Sequence, residues 1–195
     1  MCVRCAWCLD GGMMQAYHDD EWGTPVHDDR RHFEHLMLEA FQCGLSWSLM
    51  LKKREIFREC LDGFDYEKIA LYDDAKVDEI LGAPGMLKNR NKVRAAITNA
   101  RAFMGIIEEF GSFDGFIWNF IGGKTLVYPD HEKTPVASSA LSDALAKELR
   151  RRGFRYLGPV TLYSYLQACG MINDHERNCY KYKIIMESFP VTVVE

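Results

Sequence analysis

Between residues 88 and 110 the apolar side chains Val93, Ile97, Ala100, Met104 and Ile107 recur at spacings of four, three, four and three. That rhythm keeps one face of a 3.6-residue helix apolar and suits no strand, so the segment is predicted as a long amphipathic helix with Gly105 as its weak point. The same period recurs on both sides. Residues 31–43 put Phe33, Leu36, Met37, Ala40 and Phe41 on one stripe, Ser46 can cap a helix over 46–61, and 66–72 and 75–81 read as two short helices. Downstream, 113–121, 138–152 and 159–169 are predicted helical, with Gly153 and Gly170 as stops and Pro159 in a first turn. Trp118 is expected in the core. Residues 1–28, broken by Gly11-Gly12 and Thr24-Pro25, and residues 125–138, with Pro129 and Pro135, are expected to be irregular. The tail, 180–195, carries no pattern that assigns it. The expectation is an all-α chain forming one domain over 1–195, long enough for a single buried core.

No charged leader precedes an apolar run, and nowhere do 18 apolar residues follow one another, so a soluble, cytoplasmic protein with no membrane partner is expected. Seven cysteines are an odd number for a disulfide framework and point to reduced thiols, some of them metal ligands. The net charge of -4 conceals a segregation. Seven acids against Lys68 and Lys76 occupy 62–79, whereas 88–101 holds Lys88, Arg90, Lys92, Arg94 and Arg101 with no acid. A second basic run, 147–155, has Lys147, Arg150, Arg151, Arg152 and Arg155 against Glu148. Two basic patches on an acidic chain suggest a localised phosphate footprint.

Three places can carry chemistry. In Leu-Glu-Ala-Phe-Gln-Cys-Gly-Leu-Ser-Trp, residues 38–47, Glu39 falls about 120° from the middle of the apolar stripe, and Gly44 ends the helix so that Leu45 and Trp47 stand at a corner. The sequence Ala-Pro-Gly-Met-Leu-Lys, 83–88, between a short helix and one whose first turns are basic, resembles a helix-hairpin-helix element, where backbone amides and basic side chains meet phosphates. Finally, His175 and Cys179 at i and i+4 would present two ligands on one helical face, and Cys5 and His18 in the N-terminal segment could complete a zinc site clamping both ends. The competing reading is an iron-sulfur cluster on Cys2, Cys5 and Cys8 with a distant fourth cysteine. Gly122-Gly123-Lys124-Thr125 lacks the glycine a phosphate loop needs at position 118, which is Trp118, so no nucleotide cofactor is expected.

Several of these stretches belong to longer motifs. Arg-Cys-Ala-Trp at 4–7, Ala-Tyr-His-Asp-Asp-Glu-Trp-Gly at 16–23, the stretch 38–47, Leu-Lys-Lys-Arg-Glu at 51–55 and Ser-Asp-Ala-Leu at 142–145 occur in that order. Lys-Glu-Leu-Arg-Arg-Arg-Gly-Phe at 147–154 and Gln-Ala-Cys-Gly-Met-Ile-Asn-Asp-His at 167–175 follow. Together they resemble the 3-methyladenine DNA glycosylase I family, over nearly the whole chain from Cys5 to Cys179. The resemblance implies an all-α helix-hairpin-helix DNA glycosylase fold in which one structural zinc, on Cys5, His18, His175 and Cys179, ties 1–28 to 171–179. Cys2 and Cys8 lie outside that ligand set. It implies base-excision repair: a base is flipped from alkylated double-stranded DNA and the N-glycosidic bond of 3-methyladenine is hydrolysed, leaving an abasic site. By the same resemblance Trp7, Tyr17 and Trp47 stack on the base and Glu39 is the catalytic-site carboxylate that reads its edge, while Leu45 is the candidate wedge. Lys88, Arg90 and Lys92 are the expected DNA contacts. The family lacks the aspartate used by other members of its superfamily, and Glu108 and Glu109 receive no role. Met14 departs from the family, where some members have an aromatic residue at the pocket. A monomer is expected. The rival readings are a non-catalytic zinc-containing binder of damaged or abasic DNA and the iron-sulfur protein.

Overall fold

In the computed structural model, which describes residues 2–9, 11–129 and 136–194, nearly every predicted helix is present with its ends within two residues of expectation. The elements are α1 (Gly12–Asp20), α2 (Asp29–Gln42), α3 (Trp47–Cys60), α4 (Tyr66–Ile69), α5 (Asp74–Gly82), α6 (Arg90–Phe110) and α7 (Phe113–Phe120). Then come β1 (Thr125–Val127), α8 (Ala140–Arg151), α9 (Pro159–Ala168), α10 (Tyr180–Ser188) and β2 (Val191–Val193). The caps are local: Asp28, Ser46, Asp65, Asp73, Asn89 and Ser112 each accept a backbone N–H from the first turn they precede. Each such cap contributes about 1 kcal/mol relative to alanine.

The central helix is α2, and it is buried on all sides from His32 to Phe41 rather than along one stripe. A helix sheathed by neighbours must satisfy its polar residues internally. His32 Nε2 donates to Asp114 (3.1 Å), leaving Nδ1 to accept from the Tyr165 hydroxyl at 2.8 Å, and Glu34 accepts from Arg54 and Arg58 at 2.7 and 2.9 Å. The apolar face of α6 also differs from expectation. Val93, Ile97 and Ala100 are buried, but the stripe continues through Phe103 and Ile106, while Met104 is exposed. Phe103 stacks on Phe113 at 4.2 Å and meets Phe33 edge-on at 5.2 Å, so aromatic packing sets the rotation of the second half of the helix. Trp118 is in the core, its Nε1–H donating to Val26 O at 2.8 Å.

Four further sequence expectations change. Residues 1–28 are not irregular throughout: a 3-10 turn, Ala6–Cys8, and α1 stand there, with Gly11 and Gly12 in the left-handed region at the start of α1 rather than breaking it. The interval 125–138 contains β1, although Pro135 and the rest of 130–135 lie outside the described residues. The tail forms α10 and then β2, which pairs in parallel with β1 in the register Thr125 to Val191 and Val127 to Val193. The fold is therefore mainly helical with one small sheet. Lastly, His175 and Cys179 do not share a helix: His175 sits in a turn and Cys179 is the N-cap of α10. Among the described residues no helix is long and apolar enough to cross a membrane.

Candidate active site and Cys/His centre

Seven pieces of chain converge on a cavity of about 340 Å³. Trp7 comes from the 3-10 turn, Met14 and Tyr17 from α1, and Trp22 from the turn after it. Glu39 and Gln42 come from the last turns of α2, Trp47 from the start of α3, Ser164 and Gln167 from α9, and Asp174 from the loop beyond. The rings form a continuous wall: Tyr17 lies 5.4 Å from Trp47 and 6.4 Å from Trp7, and Trp7 meets Trp22 edge-on at 5.1 Å. Gly44 has φ of +84°, so the chain reverses just after α2, sending Leu45 to the surface and returning Trp47 to the cavity.

The polar atoms of this wall are unusual. Glu39 Oε2, Tyr17 OH and Trp47 Nε1 are all buried without a hydrogen-bond partner among the described residues. Unpartnered buried groups are costly, and these three leave around one cavity a carboxyl oxygen, an N–H donor and a hydroxyl able to donate or accept. Burial alone pushes the Glu39 carboxyl up to about 8, and burial likewise raises the Tyr17 hydroxyl, with the nearby Glu39 and Glu21 charges adding to it. Among the described residues no basic side chain lines the cavity. A flat cation would restore what Glu39 lacks, meeting a carboxylate and the electron-rich faces of four aromatic rings.

Behind this wall Cys5, His18, His175 and Cys179 form a buried cluster whose candidate ligand atoms all lie within 4.8 Å of one another, a set that could hold a metal ion. The two histidines have fixed tautomers. His18 Nδ1 donates to Asp19 at 2.8 Å, aiming Nε2 at Cys179 Sγ (3.4 Å), and His175 Nε2 donates to Trp22 O at 3.2 Å, aiming Nδ1 at Cys5 Sγ (3.4 Å). Cys2 and Cys8 stay out of it: Cys2 is exposed, and the Cys8 thiol donates to Cys5 O at 3.1 Å. The three-cysteine arrangement needed for an iron-sulfur cluster is thus not formed. The cluster also supports the cavity, because Trp7 packs on the His18 ring at 5.4 Å and Trp22 on the His175 ring at 4.6 Å.

The sequence profile of the methyladenine glycosylase family matches residues 7–182. The chain belongs to that family. DNA-3-methyladenine glycosylase 1 of Escherichia coli (strain K12) is 38% identical over 180 residues, covering 92% of this chain and 96% of that protein. A crystal structure of a 3-methyladenine DNA glycosylase I superposes with a TM-score of 0.85 at 41% identity, covering 91% and 98% of the two chains. A tyrosine-to-phenylalanine variant of another 3-methyladenine DNA glycosylase I, in complex with 3-methyladenine, gives 0.88 at 31% identity over 92% and 97%.

For this member of the methyladenine glycosylase family, the structure brings together Trp7, Tyr17, Glu39 and Trp47 at the cavity and Cys5, His18, His175 and Cys179 behind it. Leu45 stands at the exposed corner beside them. Met14 does line the cavity. The expected DNA contacts divide. Lys88 is exposed on the hairpin between α5 and α6 and Arg90 at the first position of α6, although Lys88 Nζ donates to Ala83 O (3.1 Å) and to Leu81 O, and Arg90 pairs with Asp78. Lys92 departs from expectation. It is buried, and its ammonium donates to Phe41 O (2.7 Å) and Cys43 O (2.9 Å), satisfying carbonyls at the end of α2 and fixing the approach to Gly44. Its position on α6 faces inward, which the charge pattern alone concealed. The sequence reading also missed Trp22, Gln42, Ser164, Gln167 and Asp174 as cavity residues. Trp22 and Gln167 lie inside quoted motifs and were recoverable from them, whereas nothing in the sequence marks Ser164.

Proposed function

We propose that this chain excises 3-methyladenine from alkylated double-stranded DNA by hydrolysing its N-glycosidic bond. The observation that carries the reading is the buried Glu39 carboxyl, without a partner for Oε2, in a cavity walled by Trp7, Tyr17, Trp22 and Trp47. Adenine methylated at N3 while still joined to the sugar is a flat cation, and membership of the methyladenine glycosylase family supports that choice over other cations.

The chemistry follows from the charge. When the bond from the sugar to N9 breaks, its electron pair goes to the base, which leaves neutral. The positive charge passes to the sugar, water adds to C1′, and the water's proton is lost to solvent. Glu39, ionised beside the cation, accepts from the exocyclic amino group and holds the base in the cavity, and the rings favour the charged base over a normal one. That attraction acts on the substrate more than on the departing base, so Glu39 selects while the cationic base provides its own leaving-group ability. Leu45 fills the gap left in the stack, and Lys88, Arg90 and the hairpin amides hold the backbone.

The Cys/His set fits zinc. Zinc–sulfur bonds of about 2.3 Å and zinc–nitrogen bonds of about 2.0–2.1 Å at tetrahedral angles put S and N about 3.6 Å apart, and three of the cluster's four S-to-N separations are 3.4, 3.4 and 3.8 Å. Cys5, His18, His175 and Cys179 would hold it, and bound there it supplies a structural cross-link between the ends of the chain.

The test is chromatography of bases released from methylated duplex DNA by the wild-type protein and Glu39→Gln. Release of 3-methyladenine, with the variant losing efficiency mainly through a higher KM, is expected. Folded, metal-loaded protein that releases no base would refute the reading.

A further inference from the structure

The second basic run, 147–155, is not explained by the cavity or the hairpin. Two of its five cations are neutralised internally. Arg151 pairs with Glu148 at 2.7 Å, and Arg152 pairs with Glu109 and Glu148, both at 2.6 Å, while lying over Phe110 and Phe116. Lys147, Arg150 and Arg155 are all exposed, and of these Arg155 lines a concavity against α6. It is exposed, and its guanidinium makes no ion pair or hydrogen bond among the described residues, yet its backbone is held rigidly. Asn99, fully buried on α6, accepts from Arg155 N–H at 2.7 Å and donates to Arg155 O at 3.1 Å. The next residue, Tyr156, is placed at φ of +59°, a conformation rare for an aromatic residue, and is itself exposed. A buried amide on the longest helix thus fixes the outward direction of a free cation and a ring.

Arg155 and Tyr156 face the outer surface of α6, and with Asn91, Arg94, Ala95 and Thr98 they enclose a concavity of about 410 Å³. Arg94 is paired with Asp74 at 2.7 Å, so Arg155 supplies the concavity's net positive charge. Asn91 and Tyr156 add neutral hydrogen-bonding groups, whereas the Thr98 hydroxyl already donates to Arg94 O. Such a seat suits an oxyanion. Its position says which one: the hairpin ends at Asn89, the N-cap of α6, and Thr98 lies nine residues along the same helix, about 13 Å at 1.5 Å per residue. About 110° round the helix from the centre of the concavity's face, Lys92 anchors the carbonyls leading to Gly44 and Leu45. Hairpin, cavity corner and concavity are therefore mounted on one rigid element.

We propose that this concavity is a second backbone-phosphate seat for the duplex, with Arg155 as its cation, so that the DNA is gripped at two points along α6. The proposal rests on the glycosylase reading. The test is fluorescence anisotropy with a duplex carrying an abasic-site analogue, titrated at salt concentrations from about 50 to 200 mM, a range over which phosphate contacts are resolved. Arg155→Ala should lower the slope of log affinity against log salt by about one, so that binding is about tenfold weaker at the low-salt end and about threefold weaker at the high-salt end. Arg155→Lys should restore the slope. Arg150→Ala, removing an exposed arginine of the same run that does not line the concavity, should match the wild type. Because the Asn99 clamp uses only backbone atoms of Arg155, the variants should keep the wild-type melting curve. An unchanged slope for Arg155→Ala in protein that still releases base, or an equal loss in Arg150→Ala, overturns the seat alone. A wild-type protein that neither binds the duplex nor releases base overturns the glycosylase reading and the seat with it.

Discussion

Replacing Glu39 by glutamine should make the protein more stable as pH rises, and the effect can be sized from the structure. The carboxyl is pushed from an ordinary value of 4.5 to about 8 by burial, with no compensating cation or hydrogen bond at Oε2. A group whose folded value is raised binds a proton in the native state that the unfolded chain has already released. Its contribution is fully present below about pH 4.5 and is lost as pH rises towards 8, at about 1.4 kcal/mol per pH unit. Over that window the loss approaches about 5 kcal/mol, an upper figure because a buried site relaxes and admits water. Glutamine cannot ionise, so it escapes the loss, at a constant cost of about 1–3 kcal/mol for an amide without full partners. Urea unfolding of the two proteins at intervals from pH 5 to pH 9 should therefore give curves that cross, the variant the less stable in acid and the more stable near pH 8–9. The pH-dependent part is independent of the glutamine's constant cost. Parallel stability curves would refute the claim that Glu39 is held against ionisation, and with it the reason for this cavity to prefer a cation.

Two further outcomes follow from the fold. Elemental analysis should find one zinc per chain, and Cys179→Ser or chelation should lower Tm by about 10 °C or more while also reducing base release, since Trp7 and Trp22 rest on His18 and His175; a chelated protein with unchanged Tm and activity would count against the metal. Gly170→Ala should destabilise by at least about 3 kcal/mol in urea unfolding, because position 170 has φ of +70° and a Cβ there would lie 2.4 Å from Pro25 N and 2.5 Å from Thr24 C; a loss below 1 kcal/mol would show that the 23–25 turn yields easily.

What the sequence revealed and what it hid have separate physical causes. The helices were legible because they carry local information: a 3.6-residue period, side-chain caps at Ser46 and Asn89, proline in the first turn of α9 and glycine after α6. The tail was not, since Ile185 is the one apolar side chain of α10 that is fully buried, and β2 has meaning only through a pairing with β1 more than sixty residues away. Glu39 was placed by angle on the flank of an apolar stripe, and the structure instead buries the whole middle of α2. Periodicity could not foresee that, because burial on every side depends on α3, α6, α7 and α9 arriving from elsewhere. The Cys/His set shows the reverse. The i, i+4 spacing suggested the right pair for the wrong reason: His175 and Cys179 meet their partners through a turn and a helix N-cap, not across a helical face.

Lys92 and Arg155 show why a charge run is a poor map of an interface. Lys92 sits in the most basic stretch of the chain, yet α6 turns it inward to cap the carbonyls of Phe41 and Cys43, where desolvation lowers its affinity for a proton. Arg155 closes a run in which Arg151 and Arg152 are paired with Glu148 and Glu109, and its backbone is held by the buried Asn99 side chain so that its own side chain faces open surface. What separates the two is which face of α6 each serves, since the helix exposes one side to solvent and packs the other against α2 and α4. The inward lysine fixes where α2 ends and so where Leu45 and Trp47 stand; the outward arginine adds charge along the same axis. A lysine at the cavity's corner and an arginine on the surface thus make one helix the common reference for the base and the backbone, and a shift of α6 would move both together.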